Sequence, residues 1–163
     1  GVQANGIVCN ACISACEKGH EWARAVALLH EMGERSIAPD VISYNASISA
    51  CAVGQQWLRA AGVLEEMRRV GLLPNLITYN ASIGACSLGW QWPRAVDLLA
   101  EMRRCRHGPN VTSYNACISA CGSGGEWPRA LSLLASMQHC GVRPNLITYN
   151  SLFASLDASI EAP

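Results

Sequence analysis

Residues 41–75 read VISYNASISACAVGQQWLRAAGVLEEMRRVGLLPN, and residues 76–110 read LITYNASIGACSLGWQWPRAVDLLAEMRRCRHGPN. The second stretch restates the first at a period of 35 residues, and the same period runs outward in both directions. Asn10, Asn45, Asn80, Asn115 and Asn150 fall on it, as do Trp22, Trp57, Trp92 and Trp127. So do Met32, Met67, Met102 and Met137, and Pro39, Pro74, Pro109 and Pro144. Self-similarity at this spacing is the mark of a stacked array of small structural units. The units are cut at 6–40, 41–75, 76–110 and 111–145, with a partial repeat, its first helix only, at 146–163. The opening Gly1-Val2-Gln3-Ala4-Asn5 is similar to Gly71-Leu72-Leu73-Pro74-Asn75, so residues 1–5 read as the tail of a preceding repeat and the chain as a piece of a longer array.

Each unit reads as two helices. In the first, Tyr44, Ile48 and Cys51 stand at i, i+4 and i+7, one apolar stripe. Gly19, Gly54, Gly89 and Gly124 follow, where a left-handed C-terminal cap is expected. In the second, Trp57, Ala60, Leu64 and Met67 form another stripe, and Pro93 and Pro128 directly after their tryptophans suit a first helical turn. The tryptophan, methionine and alanine columns are therefore expected in the core, where truncating a tryptophan costs ~3–5 kcal/mol. One hairpin cannot bury its own stripe, so neighbouring units must stack into an α-solenoid.

Composition narrows the function classes. The chain has 12 basic and 12 acidic residues, which gives no overall case for a polyanion partner. The middle is modestly basic, with nine arginines against five acids over 41–145. Arg68, Arg69, Arg103, Arg104 and Arg106 end second helices and read as a solvated face that suits the helix dipole. Cys16, Cys51, Cys86 and Cys121 sit on the repeat among apolar neighbours, as small hydrophobes of a reduced protein. Cys9-Asn-Ala-Cys12 has CxxC spacing, but its cysteines stand where other copies carry Tyr44 and Ser47, and no second pair completes a metal site. No apolar run approaches the ~18 residues of a membrane span. Neither a metal, a cofactor nor a small-molecule substrate is expected.

Packing leaves one column unexplained. Asparagine is up to ~0.7 kcal/mol worse than alanine in a helix, yet it is the fifth residue of every unit, one residue past the tyrosine and so off the apolar stripe. Eight residues further on, Lys18, Val53, Leu88 and Ser123 have drifted freely, so recent duplication does not account for it. An amide both donates and accepts, as reading the edge of a base requires. The last residue of each unit, Asp40, Asn75, Asn110 or Asn145, has two readings: an N-cap of the next helix, worth ~1 kcal/mol, or a second polar contact to the same ligand.

Val41-Ile-Ser-Tyr-Asn45, Leu76-Ile-Thr-Tyr-Asn80, Val111-Thr-Ser-Tyr-Asn115 and Leu146-Ile-Thr-Tyr-Asn150 resemble the opening of pentatricopeptide repeats, and Gly-Leu-Leu-Pro-Asn75 and Gly-Val-Arg-Pro-Asn145 resemble their close. The resemblance covers essentially residues 1–156. It implies an all-α fold, an α-solenoid of stacked helix-turn-helix repeats in a right-handed superhelix. It also implies single-stranded RNA as partner, read about one base per repeat by the fifth and last residues together. On that basis Asn10 with Asp40 is similar to the uracil-preferring pair. Asn45 with Asn75, Asn80 with Asn110, and Asn115 with Asn145 are similar to pairs that prefer cytosine, then uracil. The implied site is 5′-U-Y-Y-Y-3′, with Y a pyrimidine, and Asn150 would open the next reading position. The family's base-sandwiching aliphatic corresponds to Ile7, Ile42, Ile77 and Ile147, and Thr112 departs from it. A phosphate-contacting lysine corresponds to Lys18, equally readable as an ordinary solvated side chain, and Val53, Leu88 and Ser123 replace it elsewhere.

The resemblance further implies a role in organellar RNA processing, stability or translation, in chloroplast or mitochondrion. The competing reading is a protein-binding scaffold of the helical-repeat type, which the near-neutral charge favours. Catalysis is not expected of these residues, because no His-x-Glu with a later Pro-Cys-x-x-Cys occurs.

Overall fold

In the computed structural model, which describes residues 2–160 and the side chains of 5–154, all regular structure among the described residues is α-helical. The order is α1 (Val2–Lys18), α2 (Trp22–Glu34), α3 (Val41–Val53), α4 (Trp57–Arg69), α5 (Leu76–Leu88), α6 (Trp92–Arg104), α7 (Val111–Ser123), α8 (Trp127–His139) and α9 (Leu146–Ile160). Helix α1 packs on α2, α3 on α4 and α7 on α8, the paired helices expected of an all-α solenoid. Gly1 and residues 161–163, assigned from sequence to a preceding tail and to the end of the partial repeat, lie outside the described residues. Helix α1 begins at Val2, inside the stretch read as that tail. The reason is local. Ala4 stands 35 residues before Pro39, where the other copies have the proline that stops a helix, and alanine lets the helix extend upstream.

The chain divides into two compact units, Gly1–Ala85 and Cys86–Pro163. In the first, α1 packs on α2 and α3, and α3 on α4. Ala25, Met32, Tyr44, Ile48, Cys51, Ala60, Leu64 and Met67 are all at most 2% exposed, so both stripes face inward. In the second, α7 packs on α6, α8 and α9. Ile118, Cys121, Ala130 and Leu152 form a core against which Trp92, Val96, Leu133 and Leu134 pack.

Two expectations about the hairpin turns are corrected. Gly54 and Gly124 are not left-handed; their φ values are −77° and −89°. The left-handed residue comes one position later, at His20 (60°), Gln55 (56°), Trp90 (58°) and Gly125 (71°). Around Gln55 the turn closes with Gln56 N–H donating to Cys51 O at 2.8 Å and Gln55 N–H to Ala52 O at 3.0 Å, the bonding of a Schellman cap. Glycine is needed one step earlier for space. A Cβ on Gly54 would lie 2.5 Å from Cδ1 and 2.9 Å from Cγ of Trp22, and Trp92 lies against Gly124 in the same way. Correspondingly, the tryptophans are not interior residues. Trp22, Trp57 and Trp92 are half-buried and Trp127 is 40% exposed, while the methionine and alanine columns are fully buried. In the second unit the Arg129 guanidinium sits 4.8 Å from the Trp92 ring centroid, a cation–π contact on the partly exposed ring.

Candidate nucleic-acid interface

The first helix of every repeat after the first starts on a reciprocal cap. Asp40 accepts from Ser43 N–H at 2.9 Å, and Ser43 Oγ accepts from Asp40 N–H at 3.2 Å. Asn75 with Thr78 (3.0 and 3.0 Å), Asn110 with Ser113 (3.0 and 3.2 Å) and Asn145 with Thr148 (3.1 and 3.0 Å) repeat it. The last residue of one unit is thus the N-cap of the next, as one of its two readings required.

That cap holds the fifth-residue asparagine of the preceding unit. In the first compact unit, Asn10 Nδ2 donates to Asp40 Oδ1 at 3.2 Å and Oδ2 at 3.3 Å, and Asn10 Oδ1 accepts from Ser43 Oγ at 2.5 Å. Asn45 Nδ2 donates to Asn75 Oδ1 at 3.4 Å, and Asn45 Oδ1 accepts from Thr78 Oγ1 at 2.6 Å. In the second unit, Asn115 Nδ2 donates to Asn145 Oδ1 at 3.1 Å while its Oδ1 accepts from Thr148 Oγ1 at 2.6 Å. Asn45 is 8% exposed and Asn115 9%. These asparagines therefore have a structural office that the sequence did not disclose: each is tied to residues 30 and 33 positions on. Asn80 and Asn110 are half-buried, and Asn150 is exposed.

Sequence reasoning missed the hydroxyl column itself. Ser43, Thr78, Ser113 and Thr148 are all fully buried, and each is the third residue of its unit. The signal is present, since no other serine or threonine position recurs in four consecutive units so near the asparagine.

The bonding shows which donors and acceptors are already spent. An asparagine oxygen has two lone pairs. Asn75 Oδ1 already serves Thr78 N–H and Asn45 Nδ2, so what Asn75 offers a ligand is its NH2 group. Asn45 spends its oxygen on Thr78 and one amide hydrogen on Asn75, and offers the other hydrogen. Asp40 differs in kind, offering carboxylate oxygens that can only accept. Burial pushes its carboxyl up, but hydrogen bonds from Ser43 N–H, the Ser43 hydroxyl, the Asn10 amide and the Ile42 backbone outweigh that and hold it below the usual carboxylate value. It is ionised at neutral pH.

Beside these pairs stand exposed apolar side chains that no core requires. Ile7 is 70% exposed, Ile42 and Ile77 are each 60% exposed, and Ile147 is 61% exposed. Thr112 is exposed at the same repeat position, and Lys18 is exposed in the last turn of α1. Of the arginines, Arg69, Arg103, Arg104 and Arg106 are exposed, while Arg68 is half-buried and pairs with Glu65 at 2.9 Å. Among the described residues, no three His, Cys, Asp or Glu side chains come together as metal ligands, and no helix is long and apolar enough to cross a membrane.

A family model of the pentatricopeptide repeat domain matches residues 1–53 and 27–87, and one of the PPR repeat family matches 74–123 and 109–156. Among solved structures, the chain is similar to the pentatricopeptide repeat protein PPR10 in complex with an 18-nt psaJ RNA element, at 28% identity over 98% of this chain with a TM-score of 0.81. It spans only 23% of that protein chain. The PPR domain of Arabidopsis thaliana protein-only RNase P 1 in complex with tRNA has a TM-score of 0.83 at 18% identity, over 95% of this chain and 82% of that one. PPR10 from maize gives 0.63 at 24% identity, over 94% and 27%. Those last two likenesses are of fold. No curated protein sequence matches.

Proposed function

The chain belongs to the pentatricopeptide repeat family, and from that premise we propose that it binds single-stranded RNA, about one base per repeat, with a preference for pyrimidines. The observation that supports the reading is the hydrogen-bonded pairing of fifth and last residues, which leaves each pair a different set of unspent donors and acceptors. Asn45 and Asn75 offer two donors side by side. On its Watson–Crick edge cytosine has two adjacent acceptors, O2 and N3, whereas uracil carries a donor at N3–H. Donor–donor pairs therefore favour cytosine, and Asn115 with Asn145 is built alike. Asn10 and Asp40 offer a donor beside an acceptor, which suits uracil O2 with N3–H and turns away cytosine, whose N3 lone pair would face a carboxylate.

The units on this reading are 6–40, 41–75, 76–110 and 111–145, with 146–163 a partial unit. The target is 5′-U-Y-Y-Y-3′, the choice of pyrimidine over purine resting on the family resemblance. Ile7, Ile42, Ile77 and Ile147 press on base faces, with Thr112 a weaker wall, and Lys18 meets a phosphate. One lysine is little for phosphate contact, so affinity is low and falls with salt. The similar PPR10 structure was solved with an 18-nt RNA element, which supports an RNA partner here. The same family resemblance supports a role in organellar RNA processing, stability or translation, in chloroplast or mitochondrion, with no catalysis by this chain.

Competition among homopolymers at fixed salt tests this. Poly-pyrimidine binding well above poly-A is the expected result. Indifference to base would put the protein-scaffold reading in its place.

A further inference from the structure

We propose that the buried hydroxyl at the third residue of each repeat is a positioning residue for the base read by the repeat before it. The inference rests on the RNA-reading proposal above and assigns a role to residues that lie outside the two-residue reading pair. Thr78 is the clearest case. Its Oγ1 accepts from Asn75 N–H at 3.0 Å and donates its single proton to Asn45 Oδ1 at 2.6 Å, the shorter of its two acceptor contacts, the other being Asn75 Oδ1 at 3.0 Å. Thr78 N–H meanwhile donates to Asn75 Oδ1 at 3.0 Å. The result is a closed ring of three residues in which each group has one workable direction. If the Asn45 amide turned over, its oxygen would face Asn75 Oδ1, an acceptor against an acceptor, and Thr78 would exchange its 2.6 Å acceptor for Asn75 Oδ1 at 3.0 Å. Thr78 is fully buried, so no water substitutes for the lost bond. Ser43 holds Asn10, and Thr148 holds Asn115, through the same bond at 2.5 and 2.6 Å.

The consequence for recognition is directional. With the hydroxyl present, Asn45 can offer a base only a donor. Without it, only the 3.4 Å bond to Asn75 Oδ1 still favours that orientation, so the turned-over amide, which offers an acceptor, gains population and the distinction between cytosine and uracil at that base weakens. The effect falls on the second base, read by Asn45 with Asn75, although Thr78 belongs to the third unit.

The test is Thr78→Val, which keeps shape and removes the hydroxyl, with Thr78→Ser as the conservative restoration. Unstructured strands with 5′-UCCC-3′ and 5′-UUCC-3′ cores compete for the second base, and 5′-UCCC-3′ against 5′-UCUC-3′ for the third, all at fixed salt. The expected result is a fall of about fivefold in the cytosine-over-uracil ratio at the second base, the weight of one neutral hydrogen bond. The ratio at the third base stays within twofold of wild type, and serine restores the second. A purely structural role would lower affinity for all strands alike and leave both ratios where they were, which overturns the inference. Wild-type protein with no base preference at the second position overturns both this inference and the RNA-reading proposal beneath it. Should Thr78→Val lose its helical circular dichroism, Thr148→Val carries the same question to the fourth base, with the same fall expected there and an unchanged ratio counting against it.

Discussion

Replacing Gly54 with alanine isolates the packing of a tryptophan on its neighbouring repeat. At φ −77° and ψ 5°, an alanine is conformationally at ease, and reducing unfolded-state freedom alone would stabilise the protein by ~0.4–1 kcal/mol. The new Cβ, however, lies 2.5, 2.9 and 3.1 Å from Cδ1, Cγ and Cβ of Trp22. Carbon atoms rest at ~3.5–4.0 Å, so the indole must retreat by roughly 1 Å. The atoms concerned are at the root of the side chain, so the retreat drags α2 with it. Overpacking of this kind costs ~1–3 kcal/mol, and the balance is a net loss of about 1–2 kcal/mol. The assay is urea denaturation followed by helical circular dichroism. Gly62→Ala is the control. Nothing lies within 4 Å of its Cβ, and on the exposed face of α4 it should gain ~0.8–1 kcal/mol. Adding Trp22→Ala to Gly54→Ala should remove the penalty of the second change. A Gly54→Ala protein as stable as wild type, or more so, would refute the account of that glycine column.

Two further outcomes follow from the site and the core. Because Asp40 is held below the ordinary carboxylate value when folded, its contribution to stability is complete above its unfolded pKa and is lost as pH falls through the folded one. The difference in urea midpoint between wild type and Asp40→Asn should therefore stay constant above about pH 5 and change below about pH 4. A difference that begins to change near neutral pH would contradict the hydrogen-bonding described for Asp40. Burial pushes the thiols of Cys51, Cys86 and Cys121 up to about 11, and that of Cys117 higher still. Iodoacetamide at about pH 8, where an ordinary thiol is partly ionised, should label the exposed Cys12, Cys105 and Cys140 and spare those four until denaturant is added. Mass spectrometry of labelled peptides decides it.

Much of this molecule is legible in its sequence because a 35-residue period fixes both helices of a hairpin at once. The stripes from Tyr44 through Cys51 and from Ala60 through Met67 are buried as their spacing requires. The helices α3, α5, α7 and α9 each begin directly after Asp40, Asn75, Asn110 and Asn145. What escaped reading depends on contacts a whole repeat apart. Trp22 rests on Gly54, 32 residues on, at the turn of the next hairpin, and so stays half-buried where a stripe alone implied a core. The same contact explains a glycine that, on sequence alone, reads as a left-handed cap. The asparagines look unexplained by packing within one hairpin because their partners, Asp40 and Ser43 for Asn10 or Asn75 and Thr78 for Asn45, belong to the next helix start. Their being tied within the fold and their proposed reading of bases are compatible, since the same bonds decide which polar atom is left to face outward.

The central claim is that the last residue of a unit helps to choose its base, and Asn75→Asp tests it most directly. Aspartate caps a helix about as well as asparagine, and at Asp40 it accepts from the same Ser43 N–H and from Asn10, so the fold and its circular dichroism should persist. The exchange turns an outward donor into an acceptor. Competition between 5′-UCCC-3′ and 5′-UUCC-3′ cores at fixed salt should then swing from cytosine toward uracil by ~1–3 kcal/mol, the scale of paired side-chain contacts to bases. If the folded mutant leaves that ratio unchanged, these residues are helix caps alone and the RNA-reading account is wrong.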